Sequence, residues 1–221
     1  MVVAIDGPSG SGKSSTARGV ARRLGLSFLD TGAMYRAVAW LALRRGVDLA
    51  DTASVAELAR GAAMEMALEP DAFTISIDGI DVSRTIRAPK VSAVVSAVAT
   101  NLDVRDELVA RQKRLIADTP VGIVAEGRDI TTVVAPDADV RVLLVADPQA
   151  RIARRHAELA DHADVDAVTD QVIRRDRDDS TVAQFTSAAP GVHVIDSTEQ
   201  TLDQVVAAIC DLVPAASPSA P

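Results

Sequence analysis

Cysteine is almost absent from this chain: of 221 residues only Cys210 carries a thiol. No intramolecular disulfide framework can form, and that composition suits a reducing compartment, so a cytoplasmic protein is expected. Aromatic residues make up 2% of the chain, which leaves the core to aliphatic side chains and alanine. No apolar run reaches the roughly 20 residues that a membrane-spanning helix needs, and the first expected strand begins at Val2, which leaves no space for a signal peptide. No membrane partner is expected. Positive charge is in short supply too. The net charge of −8 argues against a nucleic-acid partner, since nucleic-acid binders present a basic face. Of the 23 basic residues, 20 are arginine. An arginine fork grips phosphate through two bonds, so where these arginines stand matters more than their number.

Hydrophobic residues account for 48% of the chain, enough for one sizeable core or a core with a small insertion. Apolar runs at 2–5, 123–125 and 140–145 read as buried parallel strands, with shorter strands at 26–29 and 192–195. Helical periodicity covers 13–24 and 33–45, closed by Gly25 and Gly46, then 54–66, 90–99, 104–117, 148–159, 165–176 and 202–213. Strands alternating with helices imply an α/β fold with a central parallel five-stranded sheet covered on both faces. Residues 73–77 alternate apolar and polar, and Asp78-Gly79 is a hairpin signal. That interruption marks an inserted lobe over roughly 32–105. The tail 214–221 holds only alanine, serine and proline and is expected to be disordered.

Gly7-Pro8-Ser9-Gly10-Ser11-Gly12-Lys13-Ser14 matches the phosphate loop G-x-x-x-x-G-K-[ST] without a gap. The spacing turns backbone amides inward on a polyanion, brings Lys13 to the β- and γ-phosphates and sets the Ser14 hydroxyl for Mg²⁺. A strand before it and a helix after it supply the required context. An ATP site is therefore expected over Gly7, Pro8, Ser9, Gly10, Ser11, Gly12, Lys13, Ser14 and Ser15. A GTPase would read guanine with N-K-x-D, but the single asparagine, Asn101, precedes Leu102. An ATPase motor places a carboxylate at a strand end. Asp147 stands at one, yet Asp147-Pro148 reads better as a strand-to-helix turn. The length and the lobe suit a small-molecule kinase, which needs arginines facing the phosphate loop. Candidates lie in Asp30-Thr31-Gly32-Ala33-Met34-Tyr35-Arg36, in Glu126-Gly127-Arg128-Asp129, at Arg151, Arg154 and Arg155, and in Arg174-Arg175-Asp176-Arg177-Asp178-Asp179. The second segment is the most telling, because open α/β sheets bind ligands at the carboxyl ends of their strands.

Together these motifs, with Asp81-Val82-Ser83, Ile86-Arg87 and Ser96, resemble those of the bacterial cytidylate (CMP) kinases, within the nucleoside monophosphate kinase group. The resemblance runs from Val3 to about Ser180, and less firmly to Ser197. It implies a P-loop kinase fold with a CORE of 1–31 and 106–213, an NMP-binding lobe of 32–105 and a short LID near 148–170. It implies transfer of the ATP γ-phosphoryl group to CMP or dCMP with Mg²⁺; a monomer is expected. By the same resemblance Thr31, Tyr35, Arg36, Arg105, Arg128, Asp129, Arg175 and Asp179 would bind CMP, and Arg154 would be a LID arginine near the transferring phosphate. Arg–Asp sets suit cytosine, which presents an amino donor beside acceptors. Two departures stand out. Thr131-Thr132-Val133-Val134-Ala135-Pro136 replaces the family's Gly-Thr-Val-Val-Phe-Pro, and Val182 stands where the family's Asp-Ser-x-Arg has arginine, with Gln184-Phe185 for the usual Pro-Leu.

The resemblance implies in-line attack by the acceptor phosphate, with Lys13, Arg128 and Arg154 catalytic and no general base, since the nucleophile is already anionic. Other readings are a kinase of the same fold acting on another small acceptor, and a low-turnover nucleotide-binding regulator.

Overall fold

The computed structural model describes residues 1–158 and 165–214. The expected LID therefore falls partly, and the expected tail almost wholly, outside the described residues. In chain order the elements are β1 (Val2–Asp6), α1 (Lys13–Leu24), β2 (Ser27–Asp30), α2 (Thr31–Arg45), α3 (Thr52–Gly61), β3 (Met64–Ala67), β4 (Thr74–Ile77) and β5 (Ile80–Asp81). There follow α4 (Pro89–Ala99), α5 (Leu102–Ala117), β6 (Ile123–Gly127), β7 (Val140–Val145), α6 (Pro148–Glu158), α7 (Val165–Asp179), β8 (His193–Asp196) and α8 (Leu202–Cys210).

Five strands form a wholly parallel sheet in the order β2-β6-β1-β7-β8, as expected from the apolar runs. Side-chain alternation divides its residues between two cores. Val3, Ile5, Val124, Val142 and Leu144 pack with Ala17, Val20, Val205 and Ile209 from α1 and α8. Ala4, Ile123 and Ala125 pack with Met34, Val38, Val95 and Leu108 from α2, α4 and α5. The small side chains at Ala4 and Ala125 let α2 lie close to the sheet; α2 itself is buried on most of its faces, as a helix hydrophobic all round must be. Because β1 lies between β6 and β7, the loops that leave β1 and β6 emerge side by side at the carboxyl edge.

A second, antiparallel sheet, β3-β4-β5, packs against the far side of α2. Its hairpin turns at Asp78 and Gly79, both with positive φ (50° and 73°), the geometry that Asp-Gly favours. The helix expected over 54–66 is corrected here. It stops at Gly61, and Met64–Ala67 is a strand paired in register with Thr74–Ile77. Methionine, glutamate and alanine prefer helix, but cross-strand pairing overrides that preference. The last helix ends at Cys210 rather than at 213.

Candidate active site

The phosphate loop occupies residues 7–12, between β1 and α1. Gly12 caps α1 in the left-handed region with no side-chain hydrogen bond, so the first-turn amides stay available to an anion. Gly10 has a φ of +76°, and a β-carbon there would meet the Arg151 carbonyl oxygen at 2.5 Å. Lys13 Nζ donates to the Pro8 carbonyl (3.2 Å), and Ser14 Oγ donates to Glu126 Oε1 (2.5 Å). Glu126 is placed by β6, whose register sets it opposite Ile5 of β1 and Asp30 of β2.

Across from the loop, Asp30 caps α2 by accepting from the Ala33 amide (2.9 Å), and its second oxygen accepts from Arg87 (2.6 Å). Thr31 Oγ1 donates to the Glu126 carbonyl (2.8 Å), which pins the start of α2 to β6. Arg36, only 5% exposed, donates from Nη1 to Ser92 Oγ (2.7 Å) and to the Ile86 carbonyl (3.3 Å). Arg105 of α5 pairs with Asp129. Arg128 donates from Nε to Asp179 (3.1 Å) and from Nη1 to the Gly7 carbonyl (2.9 Å), and lies over the Phe185 ring at 4.3 Å from its centroid. Asp179 also accepts from Ser96 Oγ (3.3 Å) and pairs with Arg175 (3.5 Å). Behind the loop that carries Arg128, buried Asp6 accepts from the Ile130 and Thr131 amides (2.9 and 2.8 Å) and shapes the π-helical turn Ile130–Val134. One cavity of about 460 Å³ joins the two sides. Its walls include Lys13, Ser14, Thr31, Tyr35, Arg36, Arg105, Glu126, Arg128, Asp129, Arg155, Arg175 and Asp179.

Charge is crowded here. Burial pulls the Lys13 ammonium down to about 8, helped by Arg128 and opposed by Glu126. Burial pushes Glu126 up to about 7, with Asp30 adding and Lys13 and the Ser14 hydrogen bond opposing. Burial raises Asp129 as well, against the pull of Arg105. Arg36 is displaced well below the ordinary arginine range, by burial first and then by Arg175, Arg155 and Arg87, with Asp30 opposing. A guanidinium does not give up its proton in a protein. The shift instead reflects the cost of burying its charge and, after that, repulsion from the neighbouring arginines, both of which a bound dianion would offset. Arg128 Nη2 lies 2.9 Å from Asp176 and 3.1 Å from Asp179 but aims no hydrogen at either. Arg175 Nε is also buried without a hydrogen-bond partner, 3.5 Å from Asp179 Oδ2.

A family model described as cytidylate kinase matches residues 3–215. The chain belongs to the cytidylate kinase family. It is 55% identical to a cytidylate kinase of Cutibacterium acnes, over 97% of this chain and 96% of that one. It is 46% identical to a cytidylate kinase of Mycobacterium avium (96% and 95% covered) and 45% identical to one of Streptomyces griseus (96% and 92%). Among solved structures, an uncharacterized protein from Eubacterium ventriosum superposes with a TM-score of 0.55 at 11% identity, over 96% of this chain and 98% of that one, a likeness of fold.

For a cytidylate kinase family member, the placement of the sequence-derived residues is informative. Every residue expected to meet CMP lines the cavity, as do Ser9, Gly10, Gly12, Lys13, Ser14 and Ser15 of the phosphate loop. Arg154 does not. Its guanidinium donates to Ser197 Oγ (3.0 Å) and to the Ser197 and Thr198 carbonyls (2.6 and 3.2 Å), while the neighbouring Arg155 faces the cavity. One position on an α-helix is a rotation of about 100°. The spacing put all three arginines of this helix forward and the resemblance implied Arg154; in this structure Arg155 is the one of the pair that lines the cavity. Glu126, Asp30 and Arg155, read in the sequence as parts of candidate segments without an assigned role, also line the cavity, and Ser96 touches it through Asp179. The usable signal for Glu126 was its place at the end of a central strand. As for Mg²⁺, Ser14 Oγ and the Glu126 carboxylate are adjacent oxygen donors with Asp30 close by, a set that fits a hard cation held mainly by phosphates and water.

Proposed function

We propose that this chain transfers the γ-phosphoryl group of ATP to CMP, with dCMP as a second acceptor, giving CDP or dCDP and ADP. The observation that carries the proposal is one cavity in which a phosphate loop faces buried Arg36 and the half-buried Arg105, Arg128 and Arg175, in a member of the cytidylate kinase family.

The amides of residues 7–15 would hold the ATP phosphates, with Lys13 at the β- and γ-oxygens. Arg36 and Arg128 would grip the CMP phosphate, and Thr31 and Arg175 would complete its anchorage. The Arg105–Asp129 pair, Tyr35, Ser96 and Asp179 would read the cytosine and sugar. An oxygen of the CMP phosphate attacks the γ-phosphorus in line, the bond from that phosphorus to the β–γ bridging oxygen breaks, and ADP leaves. Charge spread over the equatorial oxygens calls for cations, supplied by Lys13, Arg128 and Arg155. Arg154 reaches the phosphate only by giving up its contacts to Ser197 and Thr198. Ser14 and Glu126 are the residues that would hold Mg²⁺, which when bound neutralises charge across the β- and γ-phosphates. The lobe 32–105 and the helices flanking 159–164 are the segments whose closure would exclude water.

A cytoplasmic monomer is part of this reading. The lone Cys210 thiol supports that compartment, and no helix among the described residues is long and apolar enough to cross a membrane. The test is ADP release from ATP with CMP, dCMP, UMP, AMP or shikimate as acceptor. CMP-dependent release with CMP or dCMP strongly preferred is expected. Equal or greater release with another acceptor, or release indifferent to CMP, would defeat the proposal.

A further inference from the structure

Asp176 lies on α7, outside the cavity wall, yet three parts of the site converge on its carboxylate. One oxygen, Oδ1, accepts from the Ser9 amide of the phosphate loop (2.9 Å). The same oxygen lies 2.9 Å from Arg128 Nη2. The other, Oδ2, accepts from Arg151 Nη1 on α6, and that nitrogen also donates to the Ser9 carbonyl (2.9 Å). Both backbone groups of Ser9 are thus held by one Arg–Asp pair, and the Arg151 carbonyl packs against Gly10 on the next step of the loop. Arg128 closes the circuit through its bond to the Gly7 carbonyl. The three side chains are only 12–15% exposed, so these charge-assisted bonds are little screened by water.

A carboxylate beside a triphosphate site is unfavourable for binding an anion, so ligand affinity does not account for it. Geometry does. A loop with positive-φ glycines at 10 and 12 has many conformations to lose, and amides that must meet phosphate oxygens gain from being fixed beforehand. We propose that Asp176 is a positioning residue that sets the phosphate loop and the acceptor-side arginine as a unit, with Arg151 as its partner. The acceptor half of this inference rests on the role given to Arg128 above; the loop half does not.

The test is steady-state kinetics of Asp176→Asn, Arg151→Gln and the double variant, with ATP varied at saturating CMP and the reverse. Asparagine keeps an acceptor for the Ser9 amide but turns an amide group toward Arg151, so the clamp opens while the volume is kept. Asp176→Asn is expected to lower kcat/KM about tenfold or more for both nucleotides, on the scale that a small misplacement produces. Arg151→Gln is expected to lower both by about threefold or more. The double variant is expected to lose little beyond Asp176→Asn, because both changes open one clamp. A loss confined to one nucleotide, or penalties that multiply, would overturn the proposal; so would a lowered melting temperature with both values of kcat/KM intact. Should Asp176→Asn fail to fold, Arg151→Gln decides alone, and an unchanged kcat/KM for either nucleotide is the refuting result. Calorimetric titration of CMP into Arg128→Ala separates the underlying reading: undiminished CMP affinity refutes the role of Arg128, while the ATP arm still judges the clamp on the loop.

Discussion

Phe185 offers a direct perturbation of the acceptor site without touching a ligand-facing group. Its ring is fully buried, packs with Leu143 and Ala183, and lies under the Arg128 guanidinium at 4.3 Å. Phe185→Leu keeps most of the apolar volume and removes the aromatic face. For a cation as little exposed as Arg128, the lost cation–π attraction is about 2 kcal/mol. If all of it bears on how Arg128 is held for the acceptor phosphate, the KM for CMP rises about thirtyfold, at 1.36 kcal/mol per factor of ten. Asp179, Asp176 and the Gly7 carbonyl also restrain Arg128, so the expected rise is about three- to thirtyfold, with the KM for ATP changed by less than about twofold. The lost packing and ring contact together are expected to cost about 2–4 kcal/mol of stability, or roughly 4–16 °C in melting temperature for a chain of this size. Initial-rate kinetics and a thermal melt on one preparation read both. A lowered melting temperature with an unchanged KM for CMP would mean that the ring only fills space.

Lys13→Ala is expected to lower kcat by at least about a hundredfold while far-ultraviolet circular dichroism stays that of the wild type; an undiminished rate would remove Lys13 from the mechanism. Gly10→Ala places a β-carbon 2.5 Å from a backbone oxygen at a φ of +76°, so ATP binding measured by calorimetry is expected to be largely lost. Glu126 gives a pH signature. Its folded-state pKa of about 7 lies above the ordinary 4.5, so its contribution to stability is intact below pH 4.5 and lost as pH rises through 7. Glu126→Gln is therefore expected to melt several degrees above the wild type at pH 8 without nucleotide, the two converging near pH 5. The same variant is expected to need more Mg²⁺ for half-maximal activity, and an unchanged requirement would take Glu126 away from the cation.

Local chemistry was legible and distant pairing was not. The helix 13–24 is found at its expected bounds, because a glycine loop opens it and Gly25 closes it. The hairpin was readable from Asp78-Gly79, whose two residues can take the positive φ values the turn requires. β3 was missed because nothing in Met-Glu-Met-Ala says strand until Thr74–Ile77 pairs with it. The π-helical turn at 130–134 depends on Asp6, more than 120 residues away in sequence. At the site, residues named from separate contiguous motifs come together on one cavity. Contacts between motifs, such as Ser14 with Glu126 and Ser9 with Asp176, depend on which strands become neighbours. The Phe185 departure stood out in the sequence, but nothing in Gln184-Phe185 says that its ring lies beneath Arg128.

The strand order also has a consequence for biosynthesis. β1 is translated well before both strands that flank it, at residues 123–127 and 140–145, which follow it by more than a hundred residues. At elongation speeds of about 5–20 residues per second that delay is roughly 6–24 s. Throughout it the nascent polypeptide carries its nucleotide signature on an unpaired, apolar ribbon. A chain stalled before residue 123 would bear the complete signature without either of the strands that hold its loop in place.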